Sequence, residues 1–284
     1  MSIFRVHIPE TNSYPIVLHG NGYSSRQEGG IFQQICDSFF EESLRSQLFH
    51  FIRKNSIKRL KNSILDISNT TIVSWKGGKY LNSDTLLEKS LRYHNVDFRM
   101  FGWPEGMDFW DSTKYKLKYV NEAIDNGEID TEYLMWFDCG DVLLLEHPIQ
   151  ILFRYEKYYS DYQMVFNAER NDYPHLKRMQ DENVNSKIID LTLKVSDYLD
   201  SLKHGSSFKY LNSGAMVGKT GFVKKFIDRC FDIGFSERFG GDQHLCKLAQ
   251  FDLKEDVAID HDCKIFCCFH SLNRDEVSMA RNLS

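Results

Sequence analysis

From residue 64 onward, short apolar runs alternate with segments of helical periodicity. Runs rich in β-branched and aromatic residues predict strands over 70–74, 97–101, 133–137, 163–166 and 209–218. Apolar residues at helical spacing predict helices over 83–93, 115–124 and 148–155, and another that opens near 239. This alternation is typical of an α/β domain with a largely parallel sheet. The run 133–137 is wholly apolar, which favours a buried central strand.

The first 62 residues do not continue this alternation of short apolar runs and helical segments. A short β-like stretch at 14–22 precedes a Ser/Gly-rich turn and an amphipathic segment, 31–61, that ends in a basic run. One interpretation is a membrane-surface or partner helix, which includes a homo-oligomer contact. The favoured interpretation is a helix packed on the main domain with a solvated basic end. We therefore expect residues 1–62 to pack as an N-terminal segment on a single domain of residues 63–284.

Composition narrows the class of protein. The 284 residues include 35 Lys and Arg against 40 Asp and Glu, and the net charge of −5 argues against nucleic acid as the default partner. No apolar run is long enough to span a bilayer and the first residues lack a secretory signal, so a soluble cytoplasmic protein is expected. Seven cysteines without Cys-x-x-Cys spacing predict reduced core thiols, with a zinc site around 263–268 as the minor alternative.

An acid pair follows the predicted central strand. Asp138 and Asp141 lie three residues apart on a turn softened by Gly140, and they can converge on one divalent cation. The alternative is that both are turn residues with local backbone bonds. An acid pair after an apolar strand also occurs in aspartate-nucleophile phosphatases, so the pair alone leaves the reaction open.

Further polar residues stand at or near the ends of later predicted elements. They are Glu169 and Tyr173 after the run 163–166, the trio Asn212, Ser213 and Gly214 inside the run 209–218, and Asp242 at a predicted helix start. A small polar trio within a strand is typical of a close approach to a ligand or of a tight turn. The helix-opening acid is either an N-cap or a carboxylate that faces a substrate. The tyrosine could stack on a ring or belong to a turn before Pro174.

Taken in chain order, five stretches resemble the glycosyltransferase domain of the procollagen lysyl hydroxylase/glycosyltransferase family. They are 137–141, 166–174, 210–215, 241–243 and 259–266, and the resemblance covers roughly residues 66–280. It implies a GT-A fold, the Rossmann-like fold of nucleotide-diphospho-sugar transferases, as a single domain, to which the periodic segment 31–61 adds an N-terminal helix. It also implies a UDP-sugar donor, Mn²⁺ or another divalent cation, and transfer of glucose or galactose to an acceptor hydroxyl on a glycan or protein.

The resemblance also implies roles for individual residues. Asp138 and Asp141 match the family's metal ligands, and the third ligand, a histidine in the family's closing segment, matches His19. That segment stands here at the front of the chain, as Pro-Ile-Val-Leu-His-Gly-Asn-Gly over residues 15–22, which suggests a circular permutation or a truncated tandem array. We expect His19 to fold back and complete the metal site, with His261 as the competing ligand.

Donor and sugar contacts are implied in the same way. Expected donor contacts are Ser74, Trp75, Lys114, Tyr173 in place of a family tryptophan, Ser213, Gly214 and Asn21. Expected contacts to sugar hydroxyls or the acceptor are Glu169, Asn212 and Asp242, with Asp242 the first candidate for a base. The family's acid run before the last helix shrinks here to Gly241-Asp242. A non-catalytic nucleotide-sugar-binding or interaction protein therefore stays as the alternative function.

Overall fold

The computed structural model describes residues 2–20, 30–45, 66–77, 84–103, 109–174, 184–201, 205–234, 241–272 and 274–283. The strands in these ranges are β1 (Ser2–His7), β2 (Val17–His19), β3 (Thr70–Lys76), β4 (Arg99–Gly102), β5 (Tyr133–Asp138), β6 (Val142–Leu144), β7 (Met164–Glu169), β8 (Tyr210–Lys219), β9 (Val257–Ile259), β10 (Phe266–Cys268) and β11 (Ser278–Leu283). The α-helices are α1 (Ile31–Arg45), α2 (Leu86–Tyr93), α3 (Phe109–Asp125), α4 (Ile149–Tyr158), α5 (Ser186–Ser201), α6 (Thr220–Ile233) and α7 (Gly241–Asp252).

A six-stranded sheet in the order β4-β3-β5-β8-β7-β9 forms the centre of the fold. Strand β8 runs antiparallel to both of its neighbours, and the other five strands share one direction. The expectation of an α/β fold with a mostly parallel sheet is confirmed. Residues 133–137 of β5 are buried, as the wholly apolar run predicts. They lie between β3, which is parallel to β5, and β8, which is antiparallel to it.

Two helices begin at other residues than expected from the sequence, and two further helices were not predicted. Helix α2 begins at residue 86, where Thr85 caps it: the Thr85 hydroxyl accepts from the Glu88 N–H and the Glu88 carboxylate accepts from the Thr85 N–H. Helix α3 begins six residues earlier than expected, at residue 109. Helices α5 and α6 were not predicted, although α6 buries apolar residues at 223, 226, 227 and 230, the spacing of one helical face.

The N-terminal segment supplies an interior strand to a second sheet. Strand β2 lies between β10, to which it is parallel, and β6, to which it is antiparallel. Backbone bonds of 2.8 Å join Leu145 N–H to the Ile16 carbonyl and Phe269 N–H to the His19 carbonyl. Strand β1 pairs antiparallel with β11, so segments near the two ends of the chain lie side by side.

Helix α1 packs on this core. Phe32, Ile35 and Phe39 are buried, and the Phe32 ring lies 5.7 Å from that of Phe269. These contacts join α1 to β2 and to the turn after β10. The rest of the expected 31–61 helix, beyond Arg45, lies outside the described residues.

All seven cysteines lie in the described ranges, where they are buried and form no disulfide. They fill the core, as predicted. Among the helices that the structure describes, none is both long and apolar enough to cross a membrane.

The antiparallel course of β8 determines what meets at one edge of the central sheet. Because β8 is reversed, its first residues lie beside the carboxyl ends of β5 and β7: Asn212 pairs with Asn167, and Ala215 pairs with Phe137. Between these partners β8 bulges, since residues 213–215 stand opposite a single step from Phe166 to Asn167 on β7. The small polar trio therefore lies at the ligand-binding edge that parallel sheets use.

Candidate metal centre

The side chains of His19, Asp138 and Asp141 lie together at this edge. His19 Nε2 is 3.4 Å from Asp141 Oδ1 and 3.8 Å from Asp138 Oδ2. One ligand atom from each side chain lies within 4.8 Å of the others. The expectation that residue 19 folds back beside residues 138 and 141 is confirmed. One imidazole nitrogen and two carboxylate oxygens are a donor set that could hold a divalent cation.

The backbone places each of these side chains. Asp138 ends β5 and Asp141 precedes β6, so the two carboxylates flank the tight turn between the strands. The neighbouring strand β2 brings His19 opposite Val142, and the Gly20 N–H donates to the Asp141 carbonyl over 2.7 Å. The histidine is therefore brought to the acid pair by the backbone hydrogen bonds of a buried strand and not by a local turn.

Asn212 sets the orientation and tautomer of the His19 ring. Its side-chain oxygen accepts from the Gly214 N–H at 3.0 Å and from Asn167 Nδ2 at 3.2 Å, and it lies 2.9 Å from His19 Nδ1. Because a backbone N–H can only donate, the atom that faces these groups is the amide oxygen. His19 Nδ1 therefore carries a proton, and Nε2 faces the acid pair, where it holds a second proton or presents its lone pair to a cation. This is the usual arrangement of a metal-binding histidine.

The acids also change the ionisation of His19. Burial acts to lower the pKa of this imidazole, but Asp141, Asp138 and Glu169 outweigh burial and raise it. Two carboxylates facing a buried nitrogen thus require a positive charge between them, which a proton or a cation supplies.

Gly214 is the point of closest approach to His19. A Cβ built on Gly214 would lie 2.2 Å from His19 Cε1 and 2.7 Å from Nε2. Any larger residue would meet the imidazole, so the bulge of β8 needs glycine here. The close approach that the trio predicted is thus an approach to the histidine ring.

Lys116 on α3 joins the acid pair to Asp242. Its Nζ lies 2.5 Å from Asp138 Oδ1 and 3.5 Å from Asp242 Oδ2. The Ser213 hydroxyl donates to the same Asp242 oxygen at 3.0 Å. Burial opposes the charge of Lys116, but the two carboxylates outweigh it and raise the lysine pKa, whereas burial raises the pKa of Asp242 against the effect of the lysine. Sequence reasoning missed Lys116, because several lysines follow one another along this helix.

Glu169 lies at the end of β7 and is almost wholly buried, with 1% of its surface exposed. Gln243 Nε2 donates to one of its oxygens, and His270 Nδ1 lies 3.9 Å from the other. The stretches 166–174 and 241–243 thus meet through this contact.

The other expected site residues take several positions. Ser74 is buried and donates to the Phe137 carbonyl at 2.7 Å. Trp75 is buried beside Asp138, its ring centroid 5.6 Å from Lys116 Nζ, and its Nε1 has no hydrogen-bond partner among the described residues. Tyr173 is half-buried in the turn after β7. Asn21 and the side chain of Lys114 lie outside what the structure describes.

His261, the competing ligand, lies elsewhere: its Nδ1 is 2.7 Å from the Phe208 carbonyl, and it is not part of the metal-ligand group. Its neighbour Asp260 has a structural role that the sequence did not reveal. The buried Asp260 carboxylate accepts the N–H groups of residues 264, 265 and 266 at 2.7–2.8 Å and the Tyr159 hydroxyl at 2.6 Å. These bonds shape the turn that leads into β10, the partner of β2.

Comparison with known proteins gives no family for the chain. No protein-family model matches it, and no curated protein gives a significant sequence match. The inference of function therefore depends on the residues of the site and on their contacts.

Proposed function

We propose that the protein is a cation-dependent hexosyltransferase of the GT-A type, which moves glucose or galactose from a UDP-sugar to an acceptor hydroxyl. The observation that carries the proposal is the meeting of His19 with Asp138 and Asp141 across more than a hundred residues of chain. The mostly parallel sheet supports the proposal, because such sheets bind ligands outside the carboxyl ends of their strands. A nitrogen ligand among oxygen ligands suits Mn²⁺ better than Mg²⁺.

Contacts among the motif stretches are a second support. Asn212 holds His19, Ser213 donates to Asp242, and Gln243 donates to Glu169. Residues of the stretches that carry the resemblance thus contact one another in the folded chain, although they are dispersed along the sequence. A fortuitous set of turn-forming acids would not need such contacts.

The residues of the site suggest separate roles in holding the cation and in contacting the sugar. A bound divalent cation would neutralise the diphosphate of the departing UDP. His19, Asp138 and Asp141 would hold it, while Asn212 keeps Nε2 of the ring directed at it. Asp242, next to this group through Lys116, is the first candidate to face the transferred sugar or the acceptor.

The position of β2 also supports the permuted order. In the resemblance, the metal-binding histidine belongs to a segment that closes the domain, and here residues 17–19 form an interior strand between β6 and β10. A strand can take the same place from either end of a chain when the two ends lie close together. We propose that residues 15–22 are the family's closing segment in a new place.

Release of UDP tests the proposed function. The full chain is incubated with Mn²⁺ and either UDP-glucose or UDP-galactose, and UDP is measured over time. We expect release that depends on Mn²⁺ and that falls at least about a hundredfold in Asp141→Asn. The matched control is Asp262→Asn, an exposed acid on a surface turn, which should behave as the unchanged protein.

One outcome would contradict the transferase, and a binding measurement then separates the alternatives. Mn²⁺-bound protein that releases no UDP from either donor, alone or with simple sugar acceptors, is not a hexosyltransferase for these donors. If UDP with Mn²⁺ then still raises the melting temperature, the non-catalytic nucleotide-sugar-binding function is favoured, since ligand binding to the folded state alone raises stability.

A further inference from the structure

The carboxylate of Asp138 is shared between two groups. Its Oδ2 faces His19 Nε2 at 3.8 Å, whereas its Oδ1 is 2.5 Å from Lys116 Nζ. A charge-assisted bond of this length is strong. Only one oxygen of Asp138 therefore remains for a cation in the group formed with His19 and Asp141.

Lys116 is itself held in place. Its side chain is only 14% exposed, Asp242 Oδ2 lies 3.5 Å away, and the Trp75 ring centroid lies 5.6 Å from Nζ. A buried ammonium needs such partners, because the loss of water is costly without them. These contacts hold the lysine between the two acids.

The number of oxygens that Asp138 offers matters for the choice of cation. Ca²⁺ takes six to eight oxygen ligands and often binds a carboxylate through both oxygens, whereas small octahedral cations accept one oxygen from each. With Oδ1 held by Lys116, Asp138 offers the cation one oxygen, beside one nitrogen from His19 and the carboxylate of Asp141. This set leaves open positions for water or a diphosphate but supplies few ligands for Ca²⁺.

We propose that Lys116 is a positioning residue that sets the cation specificity of the centre: it holds Asp138 to single-oxygen binding and so favours Mn²⁺ over Ca²⁺. The inference rests on the cation centre of the proposed function, but it does not require sugar transfer.

Titration calorimetry with Mn²⁺ alone and with Ca²⁺ alone tests the inference. In Lys116→Met, Asp138 can turn both oxygens to the ion, and we expect the ratio of the two affinities to shift towards Ca²⁺ by about tenfold, within the range that partners of metal ligands control. Loss of the positive charge alone would strengthen both divalent ions alike, so the ratio separates the two effects. Lys116→Arg retains a donor to Oδ1 and should keep the preference of the unchanged protein.

Lys118→Met is the matched control, because Lys118 lies on the same helix, is 53% exposed and contacts Glu122 and the Tyr115 ring, away from the acid pair. An unchanged ratio in Lys116→Met would overturn the inference. If that variant does not fold, Lys116→Gln provides the same comparison without charge, and an unchanged ratio there has the same meaning. Absence of Mn²⁺ binding in the unchanged protein would instead refute the cation centre itself.

Discussion

Replacing Gly214 with alanine tests whether the contact between β8 and His19 holds the metal centre together. The added Cβ would lie 2.2 Å from His19 Cε1 and 2.8 Å from Nδ1. Ordinary carbon contacts begin near 3.5 Å, so the ring or the strand must move by about 1 Å. The backbone at residue 214 is not left-handed, so alanine brings no strain apart from this overlap.

The size of the effect follows from what such a shift disrupts. Overpacking of a buried contact costs about 1–3 kcal/mol of folding stability. Moving the ring also lengthens the 2.9 Å bond from His19 Nδ1 to Asn212, which orients the ligand nitrogen. Loss of such a partner weakens metal binding about 10- to 100-fold. We therefore expect a lower melting temperature and a Mn²⁺ dissociation constant at least about tenfold higher.

Calorimetric titration with Mn²⁺ and thermal unfolding measure the two effects. Gly221→Ala is the control: it lies in the first turn of α6, and its Cβ would meet nothing within 4 Å. Alanine there should leave Mn²⁺ binding unchanged and stabilise the helix by up to about 1 kcal/mol. The reasoning is refuted if Gly214→Ala binds Mn²⁺ as tightly as the unchanged protein and unfolds at the same temperature.

Single substitutions at three other positions test the site and the segment that carries it. His19→Ala should weaken Mn²⁺ binding at least about tenfold, because a ligand is lost, whereas His261→Ala should not; equal losses in the two titrations would contradict the assignment. Asp260→Ala should cost about 3 kcal/mol in chemical denaturation, since two buried N–H groups and a half-buried one lose their acceptor, whereas the exposed Asp262→Ala should change little. Burial acts to raise the pKa of Glu10, but hydrogen bonds from a neighbouring backbone N–H, a hydroxyl and an arginine outweigh it and lower the pKa below 4.5. The ionised Glu10 therefore stabilises the fold above about pH 4.5, and this stabilisation is lost as the pH falls through the folded-state pKa. The difference in unfolding free energy between the unchanged protein and Glu10→Gln should shrink over that pH range. A difference that stays constant with pH would contradict this.

Much of the fold could be read from local pattern. Runs rich in apolar, β-branched and aromatic residues predicted most strands of the central sheet, because a strand that is buried on both faces excludes polar residues. The acid pair could be predicted as well, since two carboxylates on one short turn after a buried strand lie close together wherever that strand goes. Helix α6 was missed although its apolar spacing was present in the sequence.

Other features depend on contacts that no local pattern encodes. The reversal of β8 brings Asn212 to the same edge as Asp138, and Lys116 faces that edge, whereas Lys118 on the same helix is exposed. Asp260 has the sequence context of an ordinary turn acid, but its carboxylate accepts three backbone N–H groups.

The sequence by itself determined the α/β class, the acid pair at the end of β5 and, through the resemblance, the suggestion that His19 belongs with that pair. The tertiary structure decided that β2 lies between β6 and β10, and with it that His19, not His261, meets the acids. The physical reason is the range of the interactions. Periodicity and turn chemistry act over a few residues, whereas the third ligand is placed by a strand ladder and by packing against a glycine almost two hundred residues away along the chain.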